Sequence, residues 1–397
     1  MALKNIESKA VDNFRKYLQI PTVHPNIDYE KCVQFLQVQA QELNLPSTVY
    51  FAASNKPLVI ITWIGQNPQL QSLLLHSHMD VVPVYAEQWN YEPFSAHKDE
   101  VGNIYARGAQ DMKCVGIQYL ETIRLYLKEN LTFDRTIHIS FSPDEEIGGK
   151  LGMKHFVETD EFKALNVGFT LDEGMASPDD VFPVFNGEKT LWHFYIRSRG
   201  SPGHASLFHD NTAAEKLMYV VNKMMDWRAG EKAKVSAGVD VGRVTSINMT
   251  MLDGGCQFNV VPSELSAGFD IRISPELDER AVLDTLHRWC REAGDGVRVE
   301  FIEKNVQAKP TKLDDSNPWW VKFKTEFDKM DLKLKTSIAP GAGDSRYIRQ
   351  IGIPALGFSP MANTPVLLHD HNEYLNENIF LKGIQIYYNI IKSLASV

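Results

Sequence analysis

The chain has 397 residues, 44% hydrophobic and 23% charged, which at roughly 150 residues per domain predicts two or three domains or one with an insertion. Fifty Asp and Glu against 41 Lys and Arg leave a formal charge of −9, without the basic face that nucleic acid requires, and the composition excludes disordered and collagen-like chains. Cys32, Cys114, Cys256 and Cys290 lie far apart with no Cys-x-x-Cys pair, so neither a disulfide framework nor a zinc knuckle is expected. Residues 1–6 are polar and the next fifteen amphipathic, which is not the pattern of a secretory leader. The longest apolar runs, 58–61 and 73–75, fall far short of the ~20 residues of a membrane span. The expected location is the cytoplasm, with no nucleic-acid or membrane partner.

In chain order, Ile6, Ala10, Val11, Phe14 and Leu18 recur at helical spacing up to Pro21. A second helical pattern covers 29–43. Short apolar runs at 48–51, 58–63 and 73–75 predict strands, and 111–127 predicts a helix with Val115, Tyr119, Ile123 and Leu127 on one face. Strand signals return at 136–141 and 167–171, so the first half reads as an α/β layer with a largely parallel sheet. After Asn186-Gly187 the grammar changes. Strand 191–198, helix 213–227, strands 244–252 and 265–273, helix 279–292 and strand 297–302 follow the β-α-β-β-α-β order of a ferredoxin-like unit. Beyond Pro310 the α/β pattern resumes, with helix 319–330, strands 333–337 and 355–357, and helix 377–394. The expectation is therefore an α/β domain of residues 1–186 and 310–397, interrupted by an α+β domain of residues 187–309.

Polar chemistry gathers where the apolar strands end, the edge at which open α/β sheets bind ligands. The run 73–75 leads into His76-Ser77-His78-Met79-Asp80, and 137–141 leads into Ser142-Pro143-Asp144-Glu145-Glu146. The run 167–171 leads into Asp172-Glu173-Gly174, and Leu367-Leu368 into His369-Asp370-His371-Asn372-Glu373. Asp111 stands at a predicted helix start. Each segment alone has a bland explanation: a strand-end histidine is more often a hydrogen-bonded loop residue, Asp111 a helix cap, and Glu145-Glu146 a solvated turn. Together they would bury several carboxylates, which like-charge repulsion and desolvation both oppose. Two imidazoles and three carboxylates, one of them shared, suit two Zn²⁺ ions roughly 3.5–4 Å apart. Competing motifs are absent: there is no His-Glu-x-x-His, no phosphate-binding Gly-x-x-x-x-Gly-Lys, and no second glycine to make a nucleophile elbow at Gly357-Phe358-Ser359.

The blocks 75–83, Ala106-Arg107-Gly108-Ala109-Gln110-Asp111-Met112-Lys113 and Pro143-Asp144-Glu145-Glu146-Ile147-Gly148-Gly149 resemble the metal motifs of the dizinc peptidase and amidohydrolase family. Leu171-Asp172-Glu173-Gly174, Pro202-Gly203-His204-Ala205-Ser206, 314–320 and 346–371 extend the likeness over nearly the whole chain, on the side of the family's amidohydrolases. That resemblance implies a zinc-peptidase-like catalytic domain carrying a dimerisation domain. It implies one Zn²⁺ held by His78, Asp111 and Glu173 and another by Asp111, Glu146 and His371, with His369 the alternative ligand. Asp80 would accept the second ring N–H of His78, the peptide bond after Asp111 would be cis, and Glu145 would be the general base. His204 would reach the partner subunit's site to stabilise an oxyanion, Arg346 would bind the substrate carboxylate, and Asn259 would assist. The Gly341–Asp344 turn departs from the family's usual Thr-Asp form. The implied reaction is hydrolysis of N-acyl-L-amino acids by a homodimer. A dipeptidase or carboxypeptidase on the same scaffold, and a non-catalytic binding protein of the same fold, are the alternatives.

Overall fold

The computed structural model describes the backbone of residues 2–397 and side chains from Glu7 onward. The expected place of Ile6 on the first helical face lies outside the described side chains. Two compact units emerge: Met1–Asn186 with Thr311–Thr336 and Gly343–Val397, and Gly187–Pro310 with Ser337–Ala342. Residues 337–342 thus group with the second unit, a correction to the expected span of 310–397 for the first. The unit boundary falls inside the strands Val181–Glu188 and Lys333–Ala339.

The first unit is built on an eight-stranded mixed sheet. Its centre is parallel: Ser72–His78 lies between Ile137–Ser142 and Val167–Asp172, and Ala355–Phe358 follows beside Val167–Asp172. The first three of these strands are buried at every position, which is why they read as apolar runs without alternation. Antiparallel strands flank them, with Pro57–Trp63 and Ser47–Phe51 on one side and Val181–Glu188 on the other. Successive side chains point to opposite faces of the sheet. Leu73 and Leu75 therefore enter the core beneath the helices Ala2–Leu18, Lys113–Lys128 and Glu377–Leu394, while Leu74 packs on the other face with Met153, Phe156 and Ile348. Each such fully buried side chain contributes roughly 1.5–3 kcal/mol.

The register fixes the site. His78 lies opposite Ser142, and Gly357 opposite Asp172. The parallel strands therefore end at one edge, and the loops that follow them leave together. Val181–Glu188 was not expected as a strand, because Pro183 and the Asn186-Gly187 pair break its pattern. Also unforeseen is a three-stranded sheet of Tyr374–Asn376, Asn103–Tyr105 and His97–Lys98, whose strands are too short to show periodicity.

In the second unit four antiparallel strands take the order Ser246–Gly254, Glu264–Ile273, Thr190–Arg199, Val297–Lys304. Strict alternation along Thr190–Arg199 turns Trp192, Phe194 and Ile196 inward. There they meet Leu217, Val220 and Met224 of helix Ala213–Ser236 and Leu286 of helix Glu279–Ala293. Helix Ala213–Ser236 outruns its predicted end at residue 227 by more than two turns. Its start is secured by a capping box, in which Thr212 and Glu215 satisfy each other's backbone N–H.

Candidate metal centre

Four carboxylates and two imidazoles meet beyond the carboxyl ends of the central strands. His78 closes its strand and is buried; its Nε2 lies 3.0 Å from Asp111 Oδ1 and 3.4 Å from Glu173 Oε2. His369 Nε2 lies 3.2 Å from Asp111 Oδ2 and 3.1 Å from Glu146 Oε2. The two oxygens of Asp111 thus face two different donor sets. Asp111 is no helix cap: helix Lys113–Lys128 starts after Met112, and the Asp111–Met112 peptide is cis.

His371, expected as a ligand, does not join this cluster. Its backbone N–H donates to Asp370 Oδ1, its ring meets Tyr85 edge-on at 6.3 Å, and its buried Nδ1 has no partner. The histidine is His369 because the loop turns there through a left-handed conformation (φ 61°) and is then tied down by Glu373. Glu373 is fully buried and accepts the backbone N–H groups of Gly108, Gln110 and Asp111 as well as a bond from Arg107 Nη1. Arg107 also donates to the Asp370 carbonyl. One buried ion pair therefore couples the Asp111 loop to the His369 loop. Sequence reasoning gave Glu373 no role, although an acid four residues after a histidine was the available signal. Replacing Glu373 by glutamine turns an amide N–H₂ toward backbone donors, and is expected to weaken metal affinity about 10–100-fold, read by chelator competition.

Asp80 departs from its expected role. The group facing His78 Nδ1 is the Asp80 backbone carbonyl, at 3.0 Å, whereas its carboxylate Oδ1 is 3.7 Å away. That carboxylate instead accepts the backbone N–H groups of Glu145 and Glu146, each at 3.1 Å. The turn carrying them begins at Asp144, in the left-handed region (φ 62°), where Tyr29 and Lys56 bind its carboxylate. Glu145, unlike Asp111, Glu146 and Glu173, pairs with no histidine among the described residues.

The electrostatics are those of an acid-rich pocket short of cations. Burial and then the Glu173 carboxylate push the pKa of Glu145 well above the carboxylate range. Burial and Asp111 raise Glu146 to about 7, and the same two causes raise Glu173. Burial disfavours the charged form of His78, but Glu173 and Asp111 outweigh it and hold its pKa well up. Hydrogen bonds to Asp111 and Glu146 lift His369 to about 10. Like charges crowded in low dielectric call for a divalent cation. Two observations fit one: ligand atoms of His78, Asp111 and Glu146, and again of His78, Glu145 and Glu173, lie within 4.8 Å of one another, and buried Glu146 Oε1 has no hydrogen-bond partner. Imidazole with carboxylate is a donor set for first-row transition metals, and the two Asp111 oxygens face different imidazoles.

Arg346 lies in the short helix Ser345–Gln350, buried, with its guanidinium 4.6 Å from the Tyr347 ring centre and an Nη2–H donated to the Tyr347 hydroxyl. Its Nε has no partner, so a donor is left for an anion. Asp172 fixes the helix start by accepting from the Ser345 N–H and hydroxyl. Asp344 accepts from Ser142 and lies 3.1 Å from His76 Nε2. His204 and Asn259 belong to the second unit, where they are exposed neighbours. His204 pairs with Val260 and binds Ser206 Oγ through Nδ1, and the Asn259 carbonyl accepts the Ala205 N–H. The cluster of the first unit is assembled without them.

An α/β sheet with an acid-and-imidazole pocket at its carboxyl edge is an arrangement suited to metal-dependent hydrolysis. The sequence model described as peptidase family M20/M25/M40 matches residues 74–393, and the chain belongs to that family. It is 50% identical over 401 residues to rat aminoacylase-1A, covering 100% of this chain and 98% of the relative. It is 49% identical to human aminoacylase-1 (98% and 96% covered) and 45% identical to that of Dictyostelium discoideum (98% and 98%), so the likeness read from the motifs is borne out. Among solved structures it resembles aminopeptidase PepT of Bacillus cereus, with a TM-score of 0.74 at 18% identity, over 98% and 99% of the two chains. The YXEP protein of Bacillus subtilis, described as a dinuclear metal-binding peptidase of the M20 family, gives 0.70 at 14% identity, over 99% and 100%. At those identities the likeness is one of fold.

Proposed function

We propose that the chain is a zinc-dependent amidohydrolase cleaving N-acyl-L-amino acids into a carboxylate and a free L-amino acid. The observation that carries this reading is identity near one half to aminoacylase-1 relatives along their full length, with every carboxylate of the cluster present. His78, Asp111 and Glu173 would hold one ion, and Asp111, Glu146 and His369 the other. When bound, the pair supplies Lewis acidity that polarises the scissile carbonyl and acidifies water.

The chain's own residues do the rest. Glu145, not committed to a histidine, takes the proton of the attacking water on its carboxylate and returns it to the departing amide nitrogen. Arg346, with an unused Nε–H, holds the substrate's α-carboxylate. His204 of a partner subunit stabilises the oxyanion, with Asn259 beside it. A homodimer is supported by the apolar groups that the second unit exposes, Leu207, Phe208, Met251, Leu252 and Phe258; a fully active monomer would contradict it. The cytoplasm fits a chain in which no described helix is long and apolar enough to cross a membrane.

The test is hydrolysis of N-acetyl-L-methionine against Met-containing dipeptides, each before and after dialysis with a chelator. The acylated substrate is expected to be preferred, with turnover lost on metal removal and restored by Zn²⁺. A preference for dipeptides would transfer the chain to the peptidases of its family, and chelator-resistant turnover would remove metal from the mechanism.

A further inference from the structure

The segment after the first helix lies against the metal-site loop. Thr22 Oγ1 donates to the Met79 carbonyl, the Val81 N–H to the Thr22 carbonyl and the His24 N–H to the Val81 carbonyl, with Val23 and Val81 forming a parallel bridge. This zipper brings His24 Nε2 to 2.8 Å from Asp80 Oδ2, with the His24 side chain 8% exposed and that of Asp80 fully buried. An ionised carboxylate can only accept, so the imidazole donates. Asp80 therefore receives three donors: the Glu145 N–H on Oδ1, and the Glu146 N–H and His24 on Oδ2.

We propose that His24 is a positioning residue for Glu145, acting through Asp80. The backbone amides of Glu145 and Glu146 are both gripped by this one carboxylate. The direction of Asp80 therefore decides where the Glu145 carboxylate stands relative to its substrate. The Asp80 backbone carbonyl faces His78 Nδ1, so it is the carboxyl group that holds the Glu145–Glu146 turn. His24 is the anchor outside the turn, since the other two donors belong to the turn that is being held. Without it Asp80 keeps its two amides, but carboxyl group and turn can shift together, and a base misplaced by a fraction of an ångström loses rate without loss of binding. The inference rests on the reading of Glu145 as the general base.

The experiment uses the full chain loaded with Zn²⁺ and N-acetyl-L-methionine as the probe. His24→Ala is expected to lower kcat about 10–100-fold, with KM, zinc per chain and Tm held near those of the parent protein. His24→Gln keeps an N–H donor of similar reach and is expected to restore kcat to within about threefold. Parental kcat in His24→Ala would overturn the proposal. So would a loss that comes with zinc loss or a lowered Tm and is not rescued in His24→Gln, since that marks a structural role alone. Glu145→Gln measured in parallel separates the two readings. If it stays active the base assignment fails, whereas if it is dead beside a fully active His24→Ala only the role of His24 fails.

Discussion

Glu145→Gln is expected to lower kcat by about 10²–10⁴-fold, the usual contribution of a positioned proton acceptor, with zinc content unchanged. Glutamine has the same shape and keeps the backbone N–H that Asp80 accepts. Only the ability to hold a proton is removed. Zinc content should survive because the three carboxylates that pair with the histidines are Asp111, Glu146 and Glu173. The substitution also removes one negative charge from a pocket in which burial and Glu173 already disfavour ionisation. The fold should therefore be no less stable. Turnover within tenfold of the parent protein, measured with zinc stoichiometry in the same preparation, would place the base elsewhere.

The second large effect separates two histidines two residues apart. His369→Ala is expected to cost one zinc per chain and more activity than the roughly 10–100-fold typical of an outer partner. His371→Ala should keep both ions and stay within about threefold of parental kcat. The case for His369 is geometric. Its Nε2 lies close to Asp111 Oδ2 and Glu146 Oε2, while His371 faces Tyr85. His369 also adopts a left-handed backbone conformation, uncommon for a residue with a side chain and concentrated where function requires a particular direction. Metal analysis of the two purified variants decides it, and the reverse pattern would restore His371 as the ligand.

The difficulty of that choice shows where sequence reasoning reaches its limit. Strand-end placement of His78, Glu145, Glu146 and Glu173 was legible because hydrophobic runs mark the strands and parallel strands end together. The choice between His369 and His371 depends on a single backbone rotation, which leaves no periodic trace. Asp80 is similar: the residue was legible, but its partner was assigned to His78, where the backbone carbonyl does that work. Thr22 and His24 lie between the two predicted helices and Tyr29 at the start of the second, and their role comes from pairing with loops more than fifty positions away. Strand Val181–Glu188 and the division of Lys333–Ala339 between units were hidden for the same reason, being set by neighbours and not by local pattern.

The division of the first unit into three segments has a consequence for synthesis. A ribosome must add roughly 150 residues after Asn186 before it reaches the segment from Gly343 onward, which at about 5–20 residues per second takes several seconds to half a minute. Until then His76 lacks Asp344, and the Asp111 loop lacks Glu373. The nested unit, nearly continuous in sequence, can close its own hydrophobic core meanwhile. The metal pocket therefore cannot be completed until Asp344, His369 and Glu373 have been made.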